Sequence, residues 1–149
     1  MKISVGADER LHVVEVVLQI LAEAGHQVTW HGPAGDETEP WPAVAHRVAE
    51  DVVSGKADEG ILFCWTGTGV SIAANKVPGI RAALCSDAET ARGARLWNNA
   101  NILCMSMRTT SEVIAKEILD SWFSTAYVTN PTDDACLAQI NALDRTRLE

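Results

Sequence analysis

Apolar residues recur along this chain in two alternating rhythms. Short, nearly all-apolar runs of strand length cover residues 3–6, 27–30, 60–63, 80–84 and 101–105. Longer stretches between them carry apolar residues at three- and four-residue spacing. In residues 12–24 these are Val13, Val16, Val17, Ile20, Leu21 and Ala24, a helical stripe, with Gly25 as its stop. Residues 33–42 form a loop rich in Pro, Gly and acid, and residues 41–53 form the next helix, ending near Gly55. A helix follows Gly69. Ser86-Asp-Ala-Glu89 fits a capping box opening a helix toward Leu96. Thr109-Thr-Ser-Glu112 fits a second, opening an amphipathic helix through Ile114, Ile118, Leu119 and Trp122. A last helix carries Cys136, Leu137, Ile140 and Leu143.

Five strand–helix units in this order predict an α/β fold, a five-stranded parallel sheet with helices on both faces and a C-terminal helix. The strands lack polar alternation, as strands buried on both sides do. No linker or repeat interrupts the 149 residues, so one domain over residues 1–149 is expected. Ligands of such sheets bind beyond the carboxyl ends of the strands, where the strand order reverses. For the common order 2-1-3-4-5 that point lies between strands 1 and 3. Asp8 follows the first strand and Cys64 ends the third, so both are expected at one crevice.

The net charge of −8 argues against nucleic acid and anionic membranes as partners, since phosphate binding needs a basic face. No stretch is apolar for long enough to span a bilayer. The start of the chain reads as a strand, not a signal peptide, and the four cysteines form no CxxC pair. Reduced thiols in the cytoplasm are the expectation. The four histidines show no HxxxH or HExxH spacing, so no metal site is expected.

Residues 60–76 carry the chemistry. An apolar run ends in Cys64, a tight turn holds Gly67, Thr68 and Gly69, and an Ala-rich helix follows. Free N–H groups at such a turn suit an anion, and a thiol at its rim has reason to ionise. The turn is neither a dinucleotide fingerprint nor a P-loop, because Ile72 replaces the third glycine and GK[ST] is absent. Each feature has a plainer reading: a structural turn, a buried strand cysteine, and Asp8 as a helix cap. Their convergence at one crevice favours a site built for a cysteine base and an oxyanion.

Residues 1–122 resemble the ribose-5-phosphate isomerase B and galactose-6-phosphate isomerase family. The resemblance rests on Gly6-Ala-Asp8, on Cys64-Trp-Thr-Gly-Thr-Gly69, on Ser71-Ile-Ala-Ala-Asn-Lys76, on Gly79-Ile-Arg-Ala82, on Asn98-Asn-Ala-Asn-Ile-Leu103 and on Arg108. It implies a three-layer αβα, Rossmann-like fold and aldose–ketose isomerisation through a cis-enediolate, without metal or organic cofactor. Cys64 then matches the base, and Thr66 with the N–H groups from Gly67 to Val70 matches the oxyanion loop. Asp8 and Asn98 match residues that hold sugar hydroxyls and assist ring opening, and Arg108 matches a phosphate ligand. The resemblance also implies a homodimer or tetramer with sites at the subunit interface, taking a small-molecule sugar or sugar phosphate.

This chain departs from the family pattern at the site itself. Glu9 and Trp97 stand where the family has histidines, the second of which opens the sugar ring. Trp65 replaces a small residue after the cysteine. The stretch after Tyr127, where phosphate-binding members place arginines, holds no Arg or Lys and gains Asp133 and Asp134. Losing an arginine fork removes bidentate phosphate recognition, while two indoles, Trp65 and Trp97, suit the apolar faces of a sugar. The tryptophans are read either as site walls or as interface packing. The expectation is an isomerase with altered substrate choice, a non-phosphorylated or modified sugar. The alternative is a sugar-binding family member without activity, or a subunit of a heteromer.

Overall fold

A computed structural model describes residues 1–146. Its elements are β1 (Lys2–Ala7), α1 (His12–Glu23), β2 (Gln27–His31), α2 (Trp41–Val53), β3 (Glu59–Cys64), α3 (Thr68–Ala74), β4 (Ala82–Leu84), α4 (Ala88–Asn98), β5 (Ile102–Ser106), α5 (Glu112–Ser124) and α6 (Pro131–Thr146). The five strands form one parallel sheet in the order β2-β1-β3-β5-β4. The last two strands are therefore exchanged relative to the expected order. β5 is buried at every position, as an inner strand must be, whereas β4 has three residues and an exposed Leu84, as suits an edge. The reversal between β1 and β3 is unchanged.

The two faces of the sheet hold separate apolar layers. Ile61 and Phe63 of β3 join Ile3, Val5 and Ala7 of β1 beneath α1, α4 and α5. Leu62 and Cys64 face the other way, among Val44, Ala45, Val48 and Ala49 of α2 and Val70 and Ala74 of α3. The strand period of two residues therefore assigns Cys64 to the α2/α3 face. α6 buries none of its side chains in this chain and packs loosely beside α4.

Both expected capping boxes shift along the chain. Asp87, not Ser86, caps α4 by accepting from the Thr90 N–H (2.7 Å). Ser111, not Thr109, caps α5 by accepting from the Ile114 N–H (3.2 Å). Each is the last short polar residue before the apolar stripe, where its extended backbone lets the side chain reach the first turn.

Two buried polar clusters tie helices to the sheet. On the α2/α3 face, the Ser4 hydroxyl donates to Asp51 Oδ2 (2.9 Å), and His31 Nε2 lies 2.6 Å from the same oxygen. Burial alone would push the Asp51 carboxyl up; hydrogen bonds from His31 and Ser4, aided by the charges of His31 and Lys56, hold it below the usual range. On the other face, Trp122 Nε1 donates to Glu59 Oε2 (2.6 Å) and Arg95 Nη2 sits 2.6 Å from Glu59 Oε1. Arg95 also lies over the Trp122 ring. Removing Arg95 leaves the Glu59 carboxylate buried without its cation. Arg95→Ala should lower unfolding stability by about 3–5 kcal/mol. Arg92→Ala, which removes an exposed pair with Glu89 and a surface contact with the half-exposed Trp97 ring, should cost no more than about 1 kcal/mol in the same denaturant titration. Equal losses in the two variants would refute this assignment.

Candidate active site

The register of β1 on β3 ends with Ala7 opposite Phe63. The next residue of each chain segment is Asp8 and Cys64, so parallel pairing sets them side by side at the carboxyl end of the sheet. By the same two-residue period both start on the α2/α3 face. One carboxyl oxygen, Asp8 Oδ1, is buried and has no hydrogen-bond partner among the described residues. Burial pushes the Asp8 carboxyl up, and the charge of Glu9 adds to the rise against local backbone N–H bonds. A buried acceptor without a partner is rare in folded chains and suits a hydroxyl-bearing ligand.

The turn after β3 is held by its backbone. The Cys64 carbonyl accepts from the Gly67 N–H (3.2 Å) and the Met107 N–H (3.0 Å). The Trp65 carbonyl accepts from the Arg108 N–H (2.9 Å) and the Ser106 hydroxyl (2.9 Å). β5 thus clamps the segment that carries the thiol. Gly67 has φ 75° and caps α3, and a Cβ there would lie 2.9 Å from the Met105 carbonyl carbon. Only glycine meets both demands.

Because the Gly67 N–H is committed to Cys64, it leaves the expected donor set. The amides of Thr68, Gly69 and Val70 open α3 and lack intrahelical acceptors by geometry. α3 has only seven residues, so these local donors matter more than any long-range helix dipole. The Thr66 and Thr68 hydroxyls bond each other at 2.7 Å beside them. At the far end of α3, Asn75 grips β4 through both backbone groups of Ala82 (2.8 and 2.9 Å). That clamp gives the Ala-Ala-Asn-Lys stretch a structural purpose.

Among the four cysteines, burial pushes the Cys85 thiol up to about 12, with Asp87 adding to the rise, and pushes Cys104 up as well. Cys136 lies exposed on α6. Cys64 is the thiol at the carboxyl end of the sheet, 5% exposed. The four histidines are occupied elsewhere: His12 with Glu112, His26 against Phe123, His31 with Asp51 and His46 with Glu50.

The predicted residues fall in two groups. Asp8, Glu9, residues 64–70 and Arg108 gather around the ends of β1, β3 and β5. Trp97 and Asn98, at the end of α4, line a separate groove of about 990 Å³ with Leu84, Leu137, Ile140 and Leu143. Cys64 and Asp8 are not part of that groove. Trp97 (50% exposed) lines that groove, and Trp65 (55% exposed) does not. Asp133 and Asp134 are engaged at the start of α6, with Asn130 and with the Tyr127 hydroxyl, where acidic side chains suit a helix N-terminus. Trp41, read from sequence only as a helix start, packs on Gly69 of the turn. Its signal was a tryptophan opening the helix that descends beside a Gly-x-Gly turn.

Among the described residues no cluster of metal-ligating side chains forms, and no helix is long and apolar enough to cross a membrane.

Known proteins resemble this chain in sequence and fold. The ribose-5-phosphate isomerase B of Escherichia coli is 38% identical over 127 residues, 85% of each chain. A D-erythrulose-4-phosphate isomerase of Pectobacterium atrosepticum is 37% identical over 130 residues, again 85% of each. The solved ribose-5-phosphate isomerase B of Clostridium thermocellum superposes with a TM-score of 0.94 at 36% identity, covering 99% of both chains. With residues 3–139 matching its profile, this chain belongs to the ribose/galactose isomerase family, enzymes that interconvert aldoses and ketoses by intramolecular oxidation and reduction.

Proposed function

We propose that this chain isomerises an aldose and a ketose by cysteine-based proton transfer, on a sugar that differs from the family's usual phosphates. Cys64 as thiolate takes the proton from the carbon beside the carbonyl. The electron pair moves through a cis-enediolate onto oxygen, where the N–H groups of Thr68, Gly69 and Val70 and the Thr66 hydroxyl receive the charge. The thiol then returns the proton to the neighbouring carbon, while the hydroxyl proton passes to the former carbonyl oxygen, so that the second oxygen becomes the new carbonyl. Preorganised donors of this kind contribute about 3 kcal/mol each. Asp8 holds a substrate hydroxyl with its unpartnered oxygen, and Glu9 flanks it.

The observation that supports this reading is the pairing of Ala7 with Phe63, after which Asp8, with its partnerless buried oxygen, and Cys64 leave neighbouring strands. The altered substrate rests on charge. Arg108 is exposed just beyond β5 and is the one arginine matched to a phosphate ligand, whereas Arg95 is held by the buried Glu59 and Arg92 pairs with Glu89 on the surface. Relatives named for five-carbon and four-carbon sugar phosphates indicate that chain length varies within the family. Here the change falls at the phosphate end.

The groove beside α6 supports an assembly of at least two copies, because it leaves Trp97, Leu84, Ile140 and Leu143 exposed together. Trp97 and Asn98 then serve a site shared between copies, as the family resemblance implies, and not the cysteine of their own chain. The cytoplasm, which keeps such thiols reduced, is the compartment this reading assigns.

One observation favours a binding-only role: the 5% exposure of Cys64 in the single chain. Proton exchange separates the two. Wild-type protein in deuterated water should place deuterium on the carbon beside the carbonyl, and Cys64→Ala should lose roughly 10²- to 10⁴-fold of that rate. Exchange that persists in the variant removes Cys64 from the base role; no exchange with any sugar leaves binding alone. For the substrate, free tetroses, pentoses and hexoses should be turned over at least as well as their phosphates. Faster turnover of ribose 5-phosphate than of free ribose would overturn the altered choice.

A further inference from the structure

Trp41 shares its face and its end of the sheet with Cys64. It opens α2, the helix that descends from the carboxyl side and buries Val44, Ala45, Val48 and Ala49. Val44 Cγ1 lies 2.6 Å from where a Cβ on Gly6 would sit, so α2 touches β1 two residues before Asp8. Trp41 lies one helical turn ahead of Val44 and Ala45, farther toward the carboxyl ends. Its ring rests on Gly69: Cδ2 and Cε3 are 3.1 Å, and Cε2 3.4 Å, from the position of a would-be Cβ. Gly69 is not among the glycines with positive φ, so ring contact, not backbone conformation, accounts for the missing side chain. The rest of the α2 stripe is buried, yet Trp41 remains 41% exposed. Arg47 pairs with Glu39 and Arg10 with Glu15, which leaves the exposed Arg108, among the described residues, as the cation on offer at this end of the sheet, a single one where a phosphate cradle takes a fork of several.

We propose that Trp41 is the specificity-determining wall of this site, stacking its open indole face on the C–H face of a neutral sugar chain and disfavouring a phosphorylated one. The proposal rests on the isomerase site argued above. An indole face carries negative quadrupole density, which suits C–H groups and cations and repels a phosphate.

The test uses Trp41→Ala and Trp41→Phe on the full chain. The readout is the ratio of kcat/KM for a free aldose to that of its phosphate, with the pair chosen as the best for wild type. Trp41→Ala should lower this ratio roughly 3- to 10-fold, mainly through KM for the free sugar, and Trp41→Phe should restore most of it. A purely structural role would lower both substrates equally and leave the ratio unchanged, and that result overturns the proposal. In parallel, calorimetry should find that ribitol binds Cys64→Ala more tightly than it binds the Trp41→Ala/Cys64→Ala pair. If no aldose is turned over, the isomerase reading fails, and ribitol decides for Trp41 alone. Weaker binding in the double variant supports it; equal affinity, or no binding to either, refutes it.

Discussion

The pairing of β1 with β3 is the constraint on which the site depends. Parallel strands about 4.8 Å apart bring the residues beyond their last pair together without any side-chain contact between them. Here that places Asp8 next to Cys64. A slip of one residue would turn Cys64 into the α1/α5 layer and put Phe63 at the turn. The register is strongly held because β1 and β3 bury apolar residues toward both helical layers.

Given that register, α2 must come close to the sheet for the site to have a wall. Ser4 and Gly6 are the small residues that permit it, and the Ser4–Asp51–His31 cluster fixes the lower end of the helix. The upper end carries Trp41 onto Gly69. Meanwhile β5 grips the turn from the other side through Ser106, Met107 and Arg108. The thiol, the donor amides and the indole are thus positioned by three different elements, each packed to the sheet before any ligand arrives. Preorganisation of this kind is what acyl- and enediolate-type chemistry needs, since donors aimed in advance require no rearrangement as charge develops.

Much of this was legible in the chain. Helical periodicity set α1 and α2 within a residue of their observed ends, and the apolar runs marked every strand. The exchange of β4 and β5 was not legible, because local patterning says nothing of which strand neighbours which. The uninterrupted apolar run Ile102–Met105, against a run broken by Arg81 in residues 80–84, was the available hint. The caps shifted because Ser, Thr and Asp are near-equivalent caps and only tertiary packing selects among adjacent ones. Around the site, Asp8, Glu9, Cys64, the glycines and Arg108 could be named from spacing and family resemblance. The separation of Trp97 and Asn98 from Cys64 could not, since it depends on where α4 ends across the sheet. Trp41 was hidden for the same reason: its contact with Gly69 joins residues 28 positions apart in sequence, a difference of their numbers.

The central claim is that a strand-end sulfur and the amides of the following turn act on one enediolate. The direct measurement is a crystal structure with an aldonohydroxamate, whose planar N–O group stands in for the cis-enediolate. The account predicts its oxygens about 3 Å from the Thr68–Val70 amides, Cys64 Sγ against the reacting carbon, and a hydroxyl on Asp8 Oδ1. A hydroxamate seated only in the groove beside α6, with Cys64 still covered by protein, would contradict it.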